Sequence, residues 1–159
     1  MRNCILFVAG ILVGLAVNTA VAQNVGIVGL NHVALSVPNL DEAVAYYTKK
    51  MGFREAFRAA DDKGQPTLVY VQVSQNTFLE LMPANAQRPA GFSHLGVHVE
   101  NIGAASAMFR QRGVTVEEPR ASTNTKALLA NITDLNGVRI ELAELTPDSL
   151  QRKAMSSWK

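Results

Sequence analysis

Cysteine is almost missing from this chain of 159 residues, whose single thiol is Cys4. Intrachain disulfides and cysteine-ligated zinc clusters are thereby excluded, and so is thiolate catalysis in any product that has lost its first residues. Charge of one sign is also lacking: 15 basic residues face 13 acidic ones. No basic cluster or aromatic-basic alternation is present, so nucleic acid is not an expected partner. A long apolar run is missing too, since the stretch from Ile5 to Val17 falls short of the roughly 20 residues of a spanning helix. What remains is an ordinary globular composition, 48% hydrophobic and 18% charged, enough to bury one core.

The short run is informative in its setting. Arg2 precedes it and Ala20-Val21-Ala22 follows, giving a basic start, a greasy middle and a small-x-small cleavage site. This predicts a signal peptide over residues 1–22, an N-terminal extension over 23–28, and a mature protein that is secreted or periplasmic with no stable membrane anchor. Gly10 and Gly14 suit a transient segment better than a packed helix. Cys4 begins the run rather than ending it, which argues against a lipid-bearing cysteine.

The remainder repeats itself. Leu30-Asn31-His32-Val33-Ala34-Leu35-Ser36-Val37 aligns with Phe92-Ser93-His94-Leu95-Gly96-Val97-His98-Val99, the two histidines lying 62 positions apart. The match continues through Asn39/Asn101, Leu40/Ile102, Ala43/Ala105 and Tyr47/Phe109. After the helix the offset drops by one residue, pairing Gly52 with Gly113 and Glu80 with Glu141. Such repetition fixes architecture before any motif is weighed. Each copy reads as a strand, a helix opened by Asn39 or Asn101 and closed by glycine, then further strands. Those strands are expected near 54–59, 68–73 and 77–82, and again near 115–118, 127–133 and 138–143, with Asn136-Gly137 as a tight turn. The fold class is therefore α+β: two βαβββ modules, 29–83 and 92–145, form a curved mixed sheet. A linker spans 84–91 and a polar tail 146–159.

Strand parity then groups the chemistry. If Val33 and Leu35 face the helix, His32 faces the other side, and Glu80 does the same between Leu79 and Leu81. His94 and Glu141 repeat the pattern. A strand histidine taken alone is more often a hydrogen-bonded core residue, and an inward carboxylate is often half of an ion pair. Recurrence of both types at equivalent places outweighs that, because buried carboxylates are costly without a partner. His32, Glu80, His94 and Glu141 are thus expected around one divalent ion: Zn, Ni, Co, Fe or Mn. Further polar candidates are His98, Lys126, Asn131 and Arg139. Arg139 shares the parity of Glu141 and could pair with it or bind an anionic substrate.

These residues carry a family resemblance. The opening His-Val-Ala-Leu-Ser-Val-Pro-Asn-Leu, the helix end Ala-Tyr-Tyr-Thr-Lys-Lys-Met-Gly-Phe and the segment from Asp134 to Leu142 resemble the vicinal oxygen chelate superfamily. That superfamily includes glyoxalase I, methylmalonyl-CoA epimerase, extradiol dioxygenases and bleomycin-binding proteins. The ligand set is most similar to that of glyoxalase I, whereas an epimerase would carry Gln in place of Glu80. The resemblance implies a lyase or isomerase that moves a proton on a metal-chelated small molecule, with Glu141 as the first candidate base and Glu80 the second. Ser36 and Ala84 stand where bacterial glyoxalases carry the Arg and Asn of a glutathione site, and a hydroxyl and a methyl cannot replace that clamp. The alternatives are a binding protein of bleomycin-resistance type without turnover, or an epimerase-like or extradiol-dioxygenase-like enzyme. Family members of this size are often homodimers, and the short linker permits closure within one chain or exchange between two.

Overall fold

The computed structural model describes residues 26–159. The expected leader lies outside them. β1 (Ile27–Val37) is followed by α1 (Leu40–Ala45), which runs on into a π-helical turn (Tyr46–Lys50), and then by β2 (Arg54–Ala60), β3 (Pro66–Ser74) and β4 (Thr77–Pro83). The second module contains β5 (Gly91–Val99), α2 (Ile102–Gln111), β6 (Arg120–Ala121), β7 (Leu128–Thr133) and β8 (Arg139–Glu144). A last helix, α3 (Leu150–Ser156), closes the chain.

Both module helices start as their sequence dictates. Asn39 Oδ1 accepts from the Glu42 amide at 3.2 Å and Asn101 Oδ1 from the Ala104 amide at 2.8 Å. These bonds satisfy amides that a helix start leaves without partners. Gly52 and Gly113 end the helical segments with φ of 74° and 81°, a conformation that a side chain would strain.

The eight strands form one sheet in the order β2-β3-β4-β1-β5-β8-β7-β6. Within each module the first strand lies parallel to the last, β1 with β4 and β5 with β8. The modules meet where β1 runs antiparallel to β5. This register sets His32 opposite Gly96 and Ala34 opposite His94, so each imidazole faces a small residue of the other module. Helix α1 covers Leu35, Val69, Val71 and Leu81, and α2 covers Val99, Ile132 and Leu142. Those residues carry the parity opposite to the histidines, and the apolar alternation of each strand thus binds a helix on one face and frees the other.

Two expectations change. No strand forms over 115–118: Val116 makes an isolated bridge to Ile132, and the edge strand is the two-residue β6. Pro119 lies between them, without an amide proton to continue a ladder. The supposed polar tail is α3, capped by Ser149 Oγ, which accepts from the Arg152 amide. Ala154 packs with Ala34, Tyr70, Phe78 and Met82 of the first module, and Met155 also touches the cluster of Leu129, Ala143 and Leu145 in the second. Arg54 of β2 donates to the carbonyls of Ala154 and Ser157, at 2.9 and 3.0 Å, a cation at the negative end of the helix. The trough of the sheet is therefore plugged along part of its length.

Candidate metal centre

His32 and His94 meet at the seam between the modules. Their Nε2 atoms are 3.1 Å apart and both rings are buried. Glu80 Oε2 lies 3.4 Å from His32 Nε2 and 3.2 Å from His94 Nε2, and Glu141 Oε1 lies 3.6 Å from His32 Nε2. Both carboxylates are 6% exposed, so little water screens them. Ligand atoms of His32, His94 and Glu141 all fall within 4.8 Å of one another. Glu80 flanks that trio from the first module, its Oε2 accepting from the Tyr70 hydroxyl at 3.2 Å.

The donor set fits a divalent ion. Two metal–nitrogen bonds of about 2.0–2.1 Å, at angles from square to tetrahedral, separate the nitrogens by roughly 2.8–3.4 Å, and the observed spacing of 3.1 Å falls within it. Protonation suits the task as well. Burial is the main influence on His32 and lowers its pKa to about 4, against the upward pull of Glu80. Near neutrality the ring therefore carries no charge, which is the ligating form. Asn31 Oδ1 sits 2.9 Å from His32 Nδ1. Accepting the proton there leaves the Nε2 lone pair aimed at the cluster. On His94 the matching nitrogen faces Ser93 Oγ at 3.2 Å and the Arg139 guanidinium.

The two carboxylates differ. Burial alone would raise the pKa of Glu80, but the hydrogen bond from His94, the charges of both histidines and the Tyr70 hydroxyl lower it below the ordinary value. Burial raises that of Glu141, and the negative charge of Glu80 raises it further. Tyr70, wholly buried beside both carboxylates, has its pKa pushed well above that of an ordinary tyrosine, so it keeps its proton.

Glycine at position 96 is a steric requirement. A Cβ there would run into the His32 ring at distances that real structures do not show. The glycine is visible in the sequence, but its purpose becomes legible only with the β1/β5 register. Tyr70 also escaped the sequence reading, although it sits opposite Glu80 as Asn131 sits opposite Glu141 in the repeat.

The remaining candidates part ways. Asn131 donates to Glu117 at 2.7 Å and accepts from Arg139 at 3.4 Å. Arg139 lies 3.6 Å from Glu141 and lines the cavity above the cluster. Lys126 is exposed, with a left-handed backbone, against a separate depression that Thr146 and Asp148 also line. His98 is half-buried near Arg152 of α3, away from the cavity walls. That cavity holds about 590 Å³, with Glu80, His94 and Glu141 among its walls. One chain supplies the whole cluster.

Comparisons with known proteins agree with this geometry. The family described as Glyoxalase/Bleomycin resistance protein/Dioxygenase superfamily matches residues 29–142. The ethylmalonyl-CoA/methylmalonyl-CoA epimerase of Cereibacter sphaeroides is 28% identical over 131 residues, 73% of this chain and 97% of that protein. The mitochondrial methylmalonyl-CoA epimerase of Homo sapiens is 27% identical over 129 residues, covering 72% and 73%. Among solved structures, the methylmalonyl-CoA epimerase of Mycobacterium tuberculosis superposes with a TM-score of 0.65 at 24% identity, over 79% of this chain and 93% of that one. These relatives move the analogy away from glyoxalase I and toward epimerases, even though Glu80 stands where an epimerase was expected to carry Gln.

Proposed function

Since the chain belongs to the Glyoxalase/Bleomycin resistance protein/Dioxygenase superfamily, we propose that it is a metal-dependent enzyme of epimerase type, moving a proton on a carbon beside a carbonyl. The observation that carries this is the buried cluster of His32, His94 and Glu141 at the wall of an open cavity, with Glu80 of the first module beside it. An ion held there would polarise a chelated carbonyl and so acidify the adjacent carbon.

The protein groups divide the remaining work. Glu141, made more basic by burial, accepts the proton. Inversion requires a second proton carrier on the opposite face, and Glu80, kept as a carboxylate by His94 and the Tyr70 hydroxyl, stands there as the base that takes the proton from the other enantiomer. The epimerase relatives of Cereibacter sphaeroides and Homo sapiens act, by name, on CoA esters. Export by residues 1–22 remains part of our reading and would separate this enzyme from cytosolic CoA, so shorter malonyl-type thioesters and free acids are the first substrates to try.

Deuterium uptake at the substrate's α-carbon, followed by NMR with zinc-, cobalt- or nickel-loaded protein and a 2-methylmalonyl thioester, tests the proposal. Metal-dependent uptake that disappears in Glu141→Gln is expected. Purified chain that holds no metal and cannot be reloaded would sink it. Two imidazoles and one carboxylate also form the ligand set of non-haem iron oxygenases. Oxygen consumption by the Fe²⁺-loaded chain with a catechol would favour that second reading.

A further inference from the structure

The cavity above the cluster holds more positive charge than the cluster consumes. A divalent ion would balance Glu80 and Glu141, yet Arg88, Arg120 and Arg139 also line the walls. Arg139 is already engaged with Glu141 and Asn131. The other two lack an acidic partner. The Arg120 side chain makes no hydrogen bond or ion pair among the described residues and reaches Glu141 only by its field.

Arg88 is held in place for something else. The segment over 84–91 folds into a tight turn in which Asn85 Oδ1 accepts from the amides of Gln87 and Arg88, at 3.0 and 2.8 Å. One guanidinium nitrogen donates to the Pro83 carbonyl at 2.8 Å, which fixes the side chain. Its Nε is buried without a partner. Two more buried polar atoms lacking partners belong to residues that line the same cavity, the hydroxyls of Thr67 and Thr125. A buried donor left unpaired costs about 1–3 kcal/mol, and three such groups around one cavity call for an acceptor. Arginine donors combined with hydroxyls suit an oxyanion.

We infer that Arg88 and Arg120, with Thr67 and Thr125, form an oxyanion subsite that binds a second acidic group of the substrate while its first oxygens lie at the metal cluster. The substrate is then a compact molecule with two anionic ends. This rests on the metal-dependent reading above and adds the class of compound that the site accepts.

The test is calorimetric, on zinc-loaded full chain, with succinate, its monoamide succinamate and 3-phosphonopropionate as probes. Charge-assisted hydrogen bonds of this kind predict that succinate binds about tenfold or more tightly than succinamate. The ratio should fall toward one in Arg120→Gln and Arg88→Gln, at unchanged zinc content. Arg120 is exposed, so its replacement leaves folding intact even if the Arg88 turn does not tolerate change. Phosphonopropionate above succinate assigns a phosphate end to the substrate, and the reverse order a carboxylate; either supports the subsite. A ratio near one in the natural protein, or a ratio that survives Arg120→Gln, overturns it. Protein that binds zinc and exchanges deuterium yet shows no preference sinks the subsite alone, whereas protein that takes up no metal sinks the underlying reading as well.

Discussion

Single atoms decide much of this site. Gly96 gives the His32 ring its room, so Gly96→Ala should displace the ring and weaken metal binding by about 10–100-fold, the range seen when support for a ligand is lost. Competition with a chromogenic chelator measures this, and unchanged affinity would show that the ring can move aside at no cost. His32 also sets a pH dependence. Unfolded, it takes a proton near 6.5; folded, only near 4, because burial disfavours its charge. The unfolded chain therefore binds more protons between those values, and stability falls as pH falls through that window, by on the order of 3 kcal/mol in the metal-free protein. His98, whose pKa is also lowered chiefly by burial, adds to the same slope. Glu141 opposes it, since its raised pKa favours the folded state at low pH and loses that advantage as pH rises from 4.5 through its folded value. Urea titrations of chelator-treated protein should thus show an acid loss that steepens in Glu141→Gln. A flat profile from pH 6.5 to 4.5 in that variant would contradict a buried neutral His32.

At the scale of elements, the sequence was legible where a local rule and a long-range one agreed. Asn39 and Asn101 cap helices as their side chains require, and the parity of His32 against Val33 and Leu35 follows from apolar alternation. Replacing Asn101 by Ala should cost about 1 kcal/mol, read as a lower urea midpoint, while no change would mean that the cap is dispensable. Legibility failed where a long-range contact acts alone. Helix α3 is only seven residues long, too short to be stable by itself; Ala154 and Met155 hold it in the trough, together with the Arg54 bonds. No period in the sequence announces that. A chain ending at Asp148 should lose about 3–5 kcal/mol as apolar surface around Tyr70, Phe78 and Leu145 is uncovered. An unaltered urea midpoint would show that the helix is merely laid on the surface.

For the whole molecule, repetition is the strongest signal, because the offset between the two halves by itself assigns four residues to one seam. Substrate preference was not readable in the same way. Arg88 and Arg120 have no counterparts in the repeat pattern, and they share a cavity only because a turn and an edge strand come together over the cluster. Among the described residues no helix is long and apolar enough to cross a membrane. The expected export turns on residues 1–22, so N-terminal sequencing of protein from its native source should begin at Gln23; a retained leader would end that proposal. The plug in the trough has one more consequence. Helix α3 touches the first half through Ala154 and both halves through Met155. It therefore acts as a staple, tying together the two modules that each supply one histidine to the seam, from a segment that belongs to neither repeat.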